Sequence, residues 1–352
     1  PKSSDSFNFF LPPYIVFGAG KRSTLPSYAT KLKMEKALLV ADPFFAGTDH
    51  IVEMRKGLAD AGVETVLWTG VVPDPTDVSV DAAVNVYREQ GCDGVIAVGG
   101  GSGMDTGKSA AVVIGSGTES IRAHMKPVHR LVTGMAPTIC LPTTSGTGAE
   151  ANPYTMVTQT ELSLKTIGYD AWTMISAQDV AIVDPELTIT MPPGLTAVTG
   201  FDAFCQSVEC YVTKRPNPVS DDLALRSISL VADNLRQAVF DGQDIAARSG
   251  MSFAALLSTM AFPNAGLSYP HNLSTTLADL YHLQHGVAVA TILVAALESL
   301  LPFRTDRLSR VASVMGVPTE GLSPREHAAA GIMAIELLMK DVGLATLTES
   351  CD

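Results

Sequence analysis

Val95-Ile96-Ala97-Val98-Gly99-Gly100-Gly101-Ser102-Gly103-Met104-Asp105 is the stretch that decides how the chain is read. A short unbroken apolar run is what a strand buried on both faces looks like. It empties into glycines, and these open a helix predicted over 104–114. Glycine lets backbone N–H groups come close to a pyrophosphate, and a helix N-terminus favours the negative charge. The spacing is not G-x-G-x-x-G, so the usual dinucleotide fingerprint is missing. It is not a Walker loop either, because Lys108 stands at the wrong distance. A plain glycine turn is the competing reading; the strand-to-helix setting favours phosphate.

Outward from this loop the alternation continues on both sides. Further strands are predicted over 36–41, 63–68 and 138–141, with helices over 49–61 and 78–90 that Gly62 and Gly91 end. Strands alternating with helices through short links predict a mostly parallel α/β sheet. From Gly194 the pattern changes to helices over 195–212, 221–240, 244–260, 287–301 and 324–342, with no strand. The boundary falls after Ala181-Ile182-Val183-Asp184-Pro185, near Leu187. It gives an α/β dinucleotide-binding domain over 1–187 and an all-α domain over 188–352.

Composition narrows the function classes. Of 352 residues, 46% are hydrophobic and 17% charged, enough for a large core and too apolar for a disordered chain. Lys+Arg is 24 against Asp+Glu 36, a net charge of −12, which argues against a nucleic-acid partner. The five cysteines are scattered with no C-x-x-C, which argues for a reducing compartment, and a cytoplasmic location is expected. Pro1-Lys2-Ser3-Ser4-Asp5 shows no charged-then-apolar leader. The longest apolar stretch, 287–301, contains Glu298 and is too short to span a bilayer, so no membrane partner is expected.

Three groups of residues carry candidate chemistry. Asp42 ends the strand at 36–41, where a carboxylate can accept from a ribose 2′-OH and repel a 2′-phosphate; it is equally placed to cap the next helix. Pro142-Thr143-Thr144-Ser145-Gly146-Thr147-Gly148 follows another buried strand, and its hydroxyls suit phosphate or ribose. In the second half, Asp202 and Gln206 are i and i+4 on one helix face, and His271, His282 and His285 cluster in sequence. An Asp within an apolar helix is costly without a partner, and an Asp with imidazoles suits a divalent ion such as Fe²⁺ or Zn²⁺.

Taken together, these segments resemble the group III, iron-containing alcohol dehydrogenases. The matching stretches are Gly99-Gly100-Gly101-Ser102 with Asp105, Leu141 to Glu150, Val183-Asp184-Pro185-Glu186-Leu187-Thr188, Thr199-Gly200-Phe201-Asp202-Ala203, Asn264-Ala265-Gly266-Leu267 and His285-Gly286-Val287. The resemblance implies the iron-containing alcohol dehydrogenase and dehydroquinate synthase-like fold, with metal in a cleft between its domains. It implies pyrophosphate binding at Gly99, Gly100, Gly101 and Ser102, with Asp105 in the same motif. Asp42 would face the adenosine ribose and favour NAD. Thr143, Thr144 and Thr147 would lie near cofactor phosphates and ribose, and Lys165 resembles a family lysine near the cleft.

The family's metal set is one Asp and three His. Asp202, His271 and His285 match three of these, and Gln206 stands where the fourth, a His, is usual. Gln206 can still ligate through its amide oxygen. Thr275 stands where the family often has a His proposed to help proton transfer, and His282 is a candidate for the missing relay or ligand. The catalytic candidates are therefore His271, His285, Thr275 and His282. The implied activity is NAD(H)-dependent, metal-assisted hydride transfer between a small alcohol or aldehyde and nicotinamide, by a homodimer or higher homo-oligomer. The alternatives are a related-fold reductase, similar to glycerol dehydrogenase or maleylacetate reductase, and a non-catalytic nucleotide-binding paralogue.

Overall fold

The computed structural model describes residues 6–10, 13–125, 133–162, 164–167, 178–215, 217–281 and 283–345. The chain divides into two compact units. One comprises Leu11–Thr144 and Ala149–Thr188; the other comprises Pro1–Phe10, Ser145–Gly148 and Ile189–Asp352.

The α/β unit runs β1 (Tyr14–Phe17), α1 (Leu25–Lys31), β2 (Lys36–Ala41), α2 (Pro43–Ala46), α3 (Asp49–Asp60), β3 (Glu64–Trp68), α4 (Asp77–Gln90), β4 (Gly94–Gly99) and α5 (Gly101–Gly115). It continues through β5 (Thr138–Pro142), an antiparallel pair β6 (Met156–Gln159) and β7 (Leu164–Ile167), and β8 (Val180–Val183). Six strands form one sheet in the order β1-β8-β5-β4-β2-β3, and every neighbouring pair is parallel. Alternate residues of β2 feed two cores: Ala37, Leu39 and Ala41 join one cluster, Leu38 and Val40 the other. That is why its sequence is apolar without a break.

Strand order creates the feature that matters for a ligand. From β2 the chain crosses to β3 on one side; from β4 it crosses to β5 on the other. The carboxyl ends of β2 and β4 therefore flank a switch point, the usual ligand crevice of an open α/β sheet. Strands β1 and β8 were not predicted, because four-residue runs carry too little periodicity to separate from loops.

The helical unit contains α6 (Pro193–Val212), α7 (Pro218–Phe240), α8 (Ile245–Ala265), α9 (Tyr269–Tyr281), α10 (His285–Val314) and α11 (Pro324–Asp341). Helix α9 was not predicted: Pro270 and its polar neighbours hide the pattern, although a proline in a first turn costs no hydrogen bond. Two segments assigned by sequence to the first domain pack here instead. Asn264 Nδ2 donates to Phe10 O at 3.2 Å, and the Ser145 and Ser252 hydroxyls lie 2.9 Å apart.

The apolar stretch at 287–301 is only half of a 30-residue helix that bends past Pro302, where Arg304 leaves helical geometry. Helices α8 and α10 are both long and apolar enough to cross a membrane by length and composition, which corrects the expectation from 287–301 alone. In the fold, 67% and 56% of their apolar windows are buried. A helix surrounded by other helices is apolar all round for that reason.

Candidate active site

The glycine loop occupies the switch point. Gly99 closes β4 and Gly100 is the N-cap of α5. Having no side chain, Gly100 makes no capping bond, so the first-turn amides of Gly101, Ser102 and Gly103 receive no side-chain cap. A Cβ at Gly100 would sit 3.2 Å from Thr144 Cγ2, and the Thr143 amide donates to Gly99 O at 2.9 Å. The Gly99 loop and Thr143–Thr144 are thus one construction. Asp42 joins it from β2, its Oδ2 lying 3.3 Å from where a Gly99 Cβ would be. Of the two sequence readings of Asp42, the cap is observed: its Oδ1 accepts from the Phe45 amide at 2.8 Å and caps α2, while its other oxygen faces the glycine loop.

Asp105 lies inside α5, largely buried, with its charge facing Lys108. Lys108 is the polar residue of this region that motif reading passed over. Its ammonium is fully buried and donates to the carbonyls of Ala149 at 2.8 Å, Asn152 at 2.7 Å and Tyr154 at 2.7 Å. It pins the segment after the threonine loop to α5. Thr147 belongs to Ser145–Gly148, in the helical unit, where Thr259 donates to Gly148 O at 2.8 Å. Lys165 lies on β7 opposite Thr158; its side chain is outside the described set.

The second constellation lies wholly in the helical unit. Asp202, Gln206 and Glu209 follow at i, i+4 and i+7, so α6 presents them on one face. That face is buried, and α10 packs closely on it: a Cβ at Gly286 would come 2.7 Å from Val198 Cγ1, one turn before Asp202. Gly286 thereby lets the start of α10, and so His285, approach α6. Asp202, His271 and His285 each offer one ligand atom within 4.8 Å of the others, a donor set suited to a divalent ion. His271 Nε2 stands 3.3 Å from Asp202 Oδ1, and the two imidazoles meet edge-on with centroids 5.5 Å apart.

Glu209 is the residue that sequence reading missed. It is fully buried, and its Oε1 accepts from His271 Nδ1. Its Oε2 accepts from the amide and hydroxyl of Ser268, each at 2.9 Å. A carboxylate behind one imidazole nitrogen fixes the tautomer and aims the other nitrogen at an ion. The i+7 spacing from Asp202 was the available signal. Burial alone would lower the His271 pKa, but the Glu209 charge and the Asp202 hydrogen bond outweigh it and raise it to about 10. Burial would raise the Asp202 carboxyl; its bond to His271 and the charges of both imidazoles hold it below the usual range. The two carboxylates stabilise a cation at this point, whether a proton or a metal.

Gln206 departs from expectation. Its Nε2 donates to Asp202 Oδ2 at 3.0 Å and its Oε1 accepts from Ser258 Oγ at 2.9 Å. An ionised carboxylate only accepts, so the amide must show it the NH₂ end. The oxygen expected to bind metal is turned to Ser258 instead. Thr275 lies one turn beyond His271 on α9, its side chain outside the described set, and His282 lies outside the described residues.

The family model for iron-containing alcohol dehydrogenase matches residues 12–185, and the model for the family's C-terminal region matches residues 196–349. The chain belongs to the iron-containing alcohol dehydrogenase family. Among relatives, it is 36% identical over 340 residues to 1,3-propanediol dehydrogenase of Klebsiella pneumoniae, covering 96% of this chain and 87% of the relative. It is 32% identical over 342 residues to NAD-dependent methanol dehydrogenase of Bacillus methanolicus, with the same coverage. The solved structure of an alcohol dehydrogenase from Oenococcus oeni aligns with a TM-score of 0.91 at 34% identity, over 97% of this chain and 88% of that one. This chain thus has its family's two-part architecture, and a Gln–Ser pair beside its candidate metal ligands.

Proposed function

We propose that this chain interconverts a small alcohol and its aldehyde with NAD(H), assisted by one divalent ion, Fe²⁺ or Zn²⁺. The observation that carries the reading is the Asp202–His271–His285 triad, its carboxylate buried and its imidazoles partly so, with buried Glu209 behind it. Asp42 and the loop Gly99–Ser102 at the switch point support a dinucleotide, and Asp42 beside Gly99 supports NAD over NADP, because a 2′-phosphate would meet a carboxylate. When bound, the ion would polarise the alcohol or aldehyde oxygen while nicotinamide carries the hydride. The chain's residues do the positioning. Glu209 holds the His271 ring, Asp202 supplies the negative charge, and the uncapped amides of α5 receive pyrophosphate.

Thr143 and Thr144 are proposed to order the cofactor; Thr147 and Lys165 are carried by resemblance alone. The domains are proposed as 1–187 and 188–352, with 1–10 and 145–148 packing in the helical unit. Four cysteines, Cys92, Cys140, Cys205 and Cys210, are free and buried, which supports a cytoplasmic location, and self-association is expected. A ligand set of one Asp and two His also suits the glycerol dehydrogenase-like reading. The test is NADH consumption by the metal-loaded protein with short aldehydes and with dihydroxyacetone. Aldehyde turnover that chelation removes is the expected result. Turnover of dihydroxyacetone alone would favour the second reading, and no turnover with any carbonyl would overturn both.

A further inference from the structure

Four polar groups stand in a row across three helices: Ser258 on α8, then Gln206 and Asp202 on α6, all three buried, and the partly buried His271 on α9. The Ser258 hydroxyl is fully buried and donates to Gln206 Oε1; Gln206 is 4% exposed and donates to Asp202 Oδ2. Asp202 Oδ1 is the oxygen on the His271 side. Each carboxylate oxygen therefore has a separate task. We propose that Gln206 and Ser258 are positioning residues that hold Asp202 as a one-oxygen ligand, so that the ion has three protein ligands and Gln206 is not among them. The inference rests on the metal-dependent reading above.

The physical argument is satisfaction of hydrogen bonds. Turning Gln206 Oε1 toward an ion would strip the Ser258 hydroxyl of its acceptor in a buried core. It would also withdraw the N–H from Asp202 Oδ2. Two buried polar groups would lose partners to gain one weak amide ligand. Keeping the row intact leaves Asp202 rigid, and groups that orient a ligand typically contribute roughly ten- to hundred-fold in metal affinity.

Cobalt(II) is a suitable probe, since its visible bands report binding without turnover. Titrate Co²⁺ into the metal-stripped full-length protein, wild type, Ser258→Ala, Gln206→Leu and the double variant, and monitor NADH binding and melting of the metal-free forms. The proposal expects one Co²⁺ per chain in wild type and a roughly ten-fold or greater loss of affinity in each single variant. The double variant should be little worse than either, because both act through one row. If Ser258→Ala binds Co²⁺ as tightly as wild type or tighter, the freed amide oxygen is a ligand or a bystander, and the proposal fails while the metal reading stands. If wild type binds no Co²⁺, the metal reading itself fails. Should Ser258→Ala melt below the assay temperature, Ser258→Cys, similar in size with a weaker donor, carries the same two readings.

Discussion

Glu150 is a carboxyl whose proton folding makes harder to remove. It is 3% exposed, and burial raises its pKa to about 7, with its backbone hydrogen bond and the Lys108 charge opposing. Its folded value lies above its unfolded value of 4.5, so the unfolded chain releases the proton first. Stability from this group is full below about 4.5 and falls as pH rises to about 7, by an amount on the order of 3 kcal/mol. Glu150→Gln should therefore flatten the fall: its Tm relative to wild type rises between pH 4.5 and 7, and an unchanged difference across that window would refute the assignment. At Asp42 the expected outcome concerns the cofactor. Asp42→Gly should raise kcat/KM for NADPH relative to NADH by roughly ten-fold or more, as removal of an unfavourable charge contact of about 1.4 kcal/mol implies. A ratio that does not move would show that Asp42 only caps α2. Asp42 was legible as a candidate in the sequence, because a carboxylate closing a buried strand is conspicuous. Glu209 was not, because its role depends on a histidine 62 residues away.

Helix α5 rests on β4 more closely than side chains would allow. A Cβ at Gly107 would lie 2.7 Å from Ala97 Cβ. Gly107 thus lets the helix settle on the strand and brings its N-terminal amides to the switch point. Gly107→Ala should force α5 outward, costing roughly 1–3 kcal/mol as overpacking does. NADH affinity should fall with it, since the helix and its amides move together. A melting curve and an NADH titration check this; a stable variant with unchanged affinity would mean the helix can shift without moving its N-terminus. Helices α4, α7 and α11 were legible in the sequence, and the structure shows what fixes their starts: Thr76 with Ser79, Asn217 before Pro218, and Ser323 with Glu326. The start of α9 at Tyr269 has no such signal, and Glu209 at its head, bonded to Ser268, is a tertiary contact.

At the scale of the whole molecule, the glycine loop at Gly99 and the candidate metal triad belong to different compact units. His271→Ala should therefore lose the bound ion and at least roughly a hundred-fold in turnover while leaving NADH affinity within about two-fold. Metal analysis, steady-state kinetics and an NADH titration separate these effects, and full activity in the variant would remove His271 from the site. The sequence by itself determined the parallel α/β half, the helical half and the loop at Gly99, because local periodicity and patterned motifs encode them, and the family resemblance pointed to Asp202, His271 and His285 as candidate ligands. Tertiary structure alone decided that β2 and β4 flank the switch point, that Glu209 stands behind His271, and that Gln206 turns its oxygen to Ser258. Those are relations between segments distant along the chain. Gln206 shows the reason most plainly: its residue type permits either a metal ligand or a hydrogen-bond bridge, and only the hydroxyl of Ser258, 52 residues on, selects the bridge.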